Sequence, residues 1–134
     1  MSQENVDVVR RVVEAFNRQD WAAWDSLYHP DAEWFDPPEV PGSGVHRGRR
    51  SIRQYFDELL EIAADGFNIE VDALEDVGRD RVLIRARTVL VARGSGVPVD
   101  ANVFQLVDLE DGRVRRVRNF RSSQDALEAA GLQE

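Results

Sequence analysis

The chain has no cysteine, which excludes disulfides, thiolate catalysis, iron–sulfur clusters and cysteine-ligated zinc. It has no lysine either. All 17 basic residues are Arg, so Schiff-base chemistry and a phosphate-loop lysine are excluded. Histidine occurs only at His29 and His46, far apart and without HExxH-type spacing, so no metal is expected. No cofactor motif occurs, and no cofactor is expected. No apolar run approaches the ~20 residues of a membrane span, and the opening Met1-Ser2-Gln3-Glu4 has no basic, apolar signal segment. Asp, His, Asn and Arg are left to carry whatever chemistry the chain performs.

What is present fits one domain spanning residues 1–134, long enough to bury roughly two thirds of its unfolded surface. The net charge of −8 and pI of about 4.8 predict a soluble, cytoplasmic protein that binds neither nucleic acid nor membranes. The charge is uneven. Residues 1–80 hold 18 acids and 8 Arg, whereas residues 81–134 hold 7 acids and 9 Arg. The shift accompanies a change in periodicity, not a linker.

Val6, Val9, Val12, Val13 and Phe16 recur at helical spacing, with Ser2 as a candidate cap. Asp20 can cap a second short helix carrying Trp21, Trp24, Leu27 and Tyr28, which His29-Pro30-Asp31 should stop. Glu33 to Phe35 reads as a short strand. Residues 36–48, with three Pro and three Gly, read as a loop. Ile52, Tyr55, Phe56, Leu59 and Leu60 mark a third helix. The remainder is strands: Phe67, Ile69 and Val71 alternate, Arg81–Arg93 is long, and Val97–Leu109 and Arg113–Arg121 follow tight turns at Gly94-Ser95-Gly96 and Asp111-Gly112. Ser122 or Ser123 caps a closing helix that ends at Gly131. Helices first and antiparallel strands after predict an α+β fold. The expected form is a curved, mostly antiparallel sheet packed against N-terminal helices around an internal pocket.

Asp36 is the sharpest chemical candidate. It stands in Trp34-Phe35-Asp36-Pro37-Pro38. A carboxylate stripped of water by such neighbours becomes a better proton acceptor near neutrality; the alternative is an Asp-Pro step that simply starts a surface turn. Trp34, Phe35, Tyr55, Phe56 and Phe104 supply aromatic surface that by default belongs to an ordinary core, with a pocket lining as the alternative. Asn102 lies between apolar residues of a strand, where Asn is unfavourable, so a pocket position or a bulge or edge position is required. His46 can reach the cavity mouth as a second acid–base group, whereas His29 reads as part of a helix stop. Arg85 and Arg87 share one face of their strand, and a one-residue slip would exchange the faces, so which side lines the cavity stays open.

Three segments resemble the nuclear transport factor 2-like superfamily, in its SnoaL-like and ketosteroid isomerase-like branch. VVRRVVEAFNRQDWAAWDSLYHPDAEW resembles the opening helices and first strand, HRGRRSIRQYF the entry to the third helix, and DGRVRRVRNFRSSQDALEAAGL the last strand and closing helix. The resemblance covers nearly the whole chain. It implies a cone-shaped α+β fold that binds a small apolar ligand and forms a homodimer through the outer sheet face. It also implies that Asp36 is the general base of an isomerase-, cyclase- or dehydratase-type enzyme. The family's two oxyanion donors, a Tyr and a protonated Asp, fall here on Val12, which has no donor, and on Asn102, whose amide can still donate. By the same comparison Val117, Asn119 and Arg121 face the cavity, with Asn119 or Arg121 as a polar anchor. Two other readings stay open: a ligand-binding or dimerisation module without catalysis, and an Asp/Arg hydrolase resembling limonene epoxide hydrolase, which requires the Arg85–Arg87 face to point inward.

Overall fold

A computed structural model describes residues 2–37, 44–63 and 67–131. Helix α1 (Ser2–Arg18) buries Val9, Ala15 and Phe16. The side chain of Ser2 lies outside what is described. At its far end Asn17 makes two bonds to the backbone of Ile69, donating to the carbonyl at 2.9 Å and accepting from the N–H at 2.8 Å. The amide side chain thus completes hydrogen bonding along a sheet edge and fixes α1 against it.

Asp20 caps α2 (Trp21–Leu27) by accepting from the Ala23 N–H, and Trp24 is fully buried. The helix is shorter than its apolar spacing suggests. Tyr28, read above as helical, already has extended backbone and opens β1 (Tyr28–Phe35). The ring of Pro30 disfavours helical geometry at His29, and the chain enters the strand there instead of merely ending the helix.

The expected loop over residues 36–48 contains a strand, β2 (Val45–Arg47), paired antiparallel with β1. Residues 38–43 of that loop lie outside the described residues. Gly48, at φ +88°, then leads into α3 (Arg49–Glu61), which buries Ile52 and Phe56. Strands β3 (Asn68–Gly78), β4 (Arg81–Val91), β5 (Pro98–Glu110) and β6 (Arg113–Phe120) form an antiparallel meander. The sheet order is β2-β1-β6-β5-β4-β3, with β1 parallel to β6.

The sheet curves around α1, α2 and α3, and the core fills the space between. Helix α4 (Ser123–Ala129), capped by Ser122, packs against the opposite face of β5 and β6, where Leu106 is buried. Arginines tie down the helix ends. Arg49 donates to the Asp25 carbonyl of α2, Arg93 to the Glu61 carbonyl of α3, and Arg81 to the Ala130 carbonyl after α4. Late carbonyls of a helix lack intrahelical partners, and a guanidinium satisfies them. Among the described residues no helix is long and apolar enough to cross a membrane.

Candidate functional site

A cavity of about 240 Å³ lies between the helices and the concave sheet face. Its walls are apolar, with Val12 and Phe16 from α1, Phe56 from α3, and Ile84, Val103 and Val117 from the sheet. The lining residues that carry polar groups are Tyr28, Tyr55, Thr88 and Gln105 and the indoles Trp24 and Trp34.

Against two of the lining residues, Trp34 and Tyr55, lies an acid–base cluster of Asp36 and His46, which do not themselves line the cavity. Asp36 follows β1 directly, and its side chain is only 8% exposed. Its Oδ1 accepts from Trp34 Nε1 at 2.9 Å. Its Oδ2 is buried and has no hydrogen-bond partner among the described residues. His46 Nε2, equally buried and unpartnered, stands 4.0 Å from that oxygen. The imidazole stacks on Tyr55, with centroids 4.2 Å apart and planes at 20°. Strand β2 makes this possible, because its register sets His46 opposite Trp34. The Tyr55 hydroxyl is pushed well above the usual phenol range, first by burial and then by the Asp36 and Glu58 carboxylates. It feels the Asp36 charge although no hydrogen bond of normal geometry joins the two. Tyr55 therefore stays a neutral O–H donor at physiological pH.

Trp34, Tyr55, Phe56 and Val117 line the cavity. Asp36 and His46 stand behind Trp34 and Tyr55. Asn119 is pinned: it donates to the Phe35 carbonyl at 3.0 Å and accepts from Gln105 Nε2 at 2.9 Å, fastening β6 to the end of β1.

Three residues are elsewhere. Val103, Gln105 and Val107 of β5 line the cavity, so strand alternation turns Asn102 and Phe104 to the opposite face. Asn102 is exposed there, and Phe104 sits opposite Phe120. Arg121 lies beyond the end of β6 and is exposed.

A bulge in β6 also breaks the expected alternation. Asp108 pairs with Arg116 while Leu109 pairs with Val114, so Arg115 is extra and both Val114 and Val117 face inward. In β4, Ile84 and Thr88 line the cavity and Arg85 and Arg87 point outward. Arg87 faces Glu70, Asp72 and Asp100 there, which leaves Asp/Arg water activation without an inward Arg. His29 ties β1 to Glu110 at 3.2 Å, away from the cavity. Gln105 was missed by sequence reasoning, although it interrupts an apolar run one register step beyond Phe104 by the same signal that singled out Asn102.

The chain matches the SnoaL-like domain family over residues 9–117. It is 31% identical over 127 residues to the uncharacterised protein Rv0034 of Mycobacterium tuberculosis, covering 93% of this chain and 94% of that one. Bal32a, from a soil-derived mobile gene cassette, superposes with a TM-score of 0.81 at 23% identity, covering 96% of each chain. A putative SnoaL-like polyketide cyclase from Jannaschia sp. CCS1 superposes at 0.77 with 22% identity, covering 99% of this chain and 95% of that one. These structural likenesses establish the fold. With helices on a curved sheet and a family match over most of its length, the chain belongs to the SnoaL-like domain family.

Proposed function

We propose that this protein binds a small, apolar, carbonyl-bearing molecule in its cavity and moves a proton on it, with Asp36 as the base. The observation that carries this reading is the state of the Asp36 carboxylate. One oxygen is held by the Trp34 indole, while the other is buried with no partner among the described residues, and Tyr55, which feels the Asp36 charge, lines the cavity. A carboxylate so held is oriented before the substrate arrives. An oxygen atom within hydrogen-bond reach of both Asp36 Oδ2 and His46 Nε2 fits their 4.0 Å separation. His46 would then share the proton, Tyr55 would donate to developing negative charge in place of Asn102, and Gln105 would be the polar anchor in place of Asn119 or Arg121. A positioned base supplies roughly 10²–10⁴-fold in rate.

The test is deuterium incorporation into enolisable bicyclic ketones in D₂O, followed by NMR. Asp36→Asn should lower exchange at least about 100-fold while ketone binding persists. Unchanged exchange would refute the assignment.

A second reading, ligand binding without catalysis, is favoured by one observation. Val12, which has no donor, lines the cavity where the resembling family has its Tyr, and Asn102, the one donor left at the family's two oxyanion positions, is not among the lining residues. Wild-type protein that binds the ketone and exchanges nothing supports this reading. In either case we propose a second copy of the chain on the outer sheet face, where Phe104 and Phe120 are only half-buried.

A further inference from the structure

The cavity has a second polar feature, which proton transfer at Asp36 does not use. Trp24 of α2 is 0% exposed and lines the cavity, yet its Nε1–H has no acceptor among the described residues. Buried indole N–H groups usually find a partner. Its surroundings offer aromatic faces and edges instead. Tyr28 stacks on it at 4.0 Å, and Phe56 and Trp21 meet it edge-on at 5.5 and 6.3 Å. The Tyr28 oxygen is near enough to be influenced by the indole but makes no hydrogen bond of normal geometry with it. Because Trp24 lines the cavity, a bound molecule can supply the missing acceptor.

We infer that Trp24 Nε1–H is a recognition group for the ligand, and that the cavity selects a small apolar molecule carrying, besides the carbonyl that would react at the Asp36 end, a further hydrogen-bond acceptor, such as a second ketone oxygen, at the Trp24 end. This rests on the reading of the cavity as a ligand site and names what that ligand must carry.

The dimensions agree. Phe56 meets both indoles edge-on, 5.5 Å from Trp24 and 5.1 Å from Trp34, so the two indole centres lie no more than about 11 Å apart. A volume of 240 Å³ is below the ~300 Å³ at which drug-sized pockets begin, which suits a bicyclic skeleton. An acceptor at the Trp24 end leaves the opposite edge of such a skeleton against Trp34 and Tyr55. A hydrocarbon of the same shape would leave the indole N–H unsatisfied and lose the preference. Discrimination of this kind comes from the orphaned buried donor more than from any gain in contact area.

The experiment titrates the protein with 1-tetralone and with tetralin, which has the same skeleton without the carbonyl. The indole N–H signals are followed by ¹⁵N–¹H NMR and assigned with single Trp→Phe variants. The Trp24 N–H should move downfield with 1-tetralone and stay in place with tetralin, and the ketone should bind about fivefold tighter. Trp24→Phe should bring the two affinities together. Asp36→Asn should keep the preference, which separates this inference from the base assignment. Should Trp24→Phe fail to fold, the wild-type N–H shift still decides. Equal affinities, or ketone binding that leaves the Trp24 signal unmoved, would overturn the inference and leave the cavity reading standing. Binding of neither compound would overturn both.

Discussion

Raising the pH tests the aromatic interior with little interference from other groups. The chain has two tyrosines, Tyr28 and Tyr55, and both phenols are pushed above their ordinary value of about 10. Burial is the main cause for each. The neighbouring Trp24 indole eases the rise at Tyr28, and the Asp36 and Glu58 charges add to it at Tyr55. With no Lys and no Cys, other side chains contribute little between about pH 9 and 12.

Below about pH 10 the tyrosines are protonated in both folded and unfolded chains, and their contribution is intact. Above it the unfolded chain releases protons that the folded chain retains, so stability falls as pH rises. Each tyrosine takes away about 1.4 kcal/mol per pH unit, so the pair removes about 5 kcal/mol by pH 12. That is the whole stability of a domain at the lower end of the usual ~5–15 kcal/mol range. Phenolate absorbance in the near ultraviolet and tryptophan fluorescence, recorded together, should change together, with no phenolate while the fold persists. Tyr55→Phe should halve the slope. A phenolate that appears near pH 10 under native fluorescence would refute the burial argument.

Other outcomes follow from particular contacts. Asn17→Ala leaves both backbone groups of Ile69 without their partners at the α1–β3 junction. It should cost about 2 kcal/mol, or about 7 °C in Tm by calorimetry; a loss below about 0.5 kcal/mol would mean that the clamp is unimportant. Sedimentation at micromolar concentration should show a dimer that Phe104→Glu dissociates, and a monomeric wild-type protein would sink the outer-face proposal.

The arginines show why a guanidinium-only basic set suits this fold. Arg49, Arg81 and Arg93 each reach a backbone carbonyl at or beyond the end of a helix, and Arg115 donates to the Asp31 carbonyl. A forked donor can satisfy several such oxygens from one stem; Arg93 holds both Glu61 and Ala63. The slightly basic strand half is therefore engaged in holding elements together. The cavity beside it is apolar, and the Asp36 and Glu58 carboxylates act on its lining residue Tyr55.

The sequence by itself determined the element order apart from β2, the helix stripes at Val9, Phe16, Ile52 and Phe56, two of the hairpin turns and the family. These are local properties: a 3.6-residue stripe and an Asp-Gly turn depend on neighbours a few positions away. It also marked Asp36, Trp34 and Tyr55, because aromatics and prolines around one carboxylate are visible in a row of letters.

Only the tertiary structure decided what meets what. Alternation tells that Asn102 and Gln105 face opposite ways but not which faces the helices, and packing chose Gln105. The same ambiguity in β4 was resolved with Arg85 and Arg87 outside. The bulge at Arg115 turned both Val114 and Val117 inward, because one extra residue resets the parity of a strand. His46 reached Asp36 and Tyr55 through a three-residue strand too short to have a period. The pairing that holds it there is with a strand a dozen residues away, and that long-range contact has no local signature in the chain.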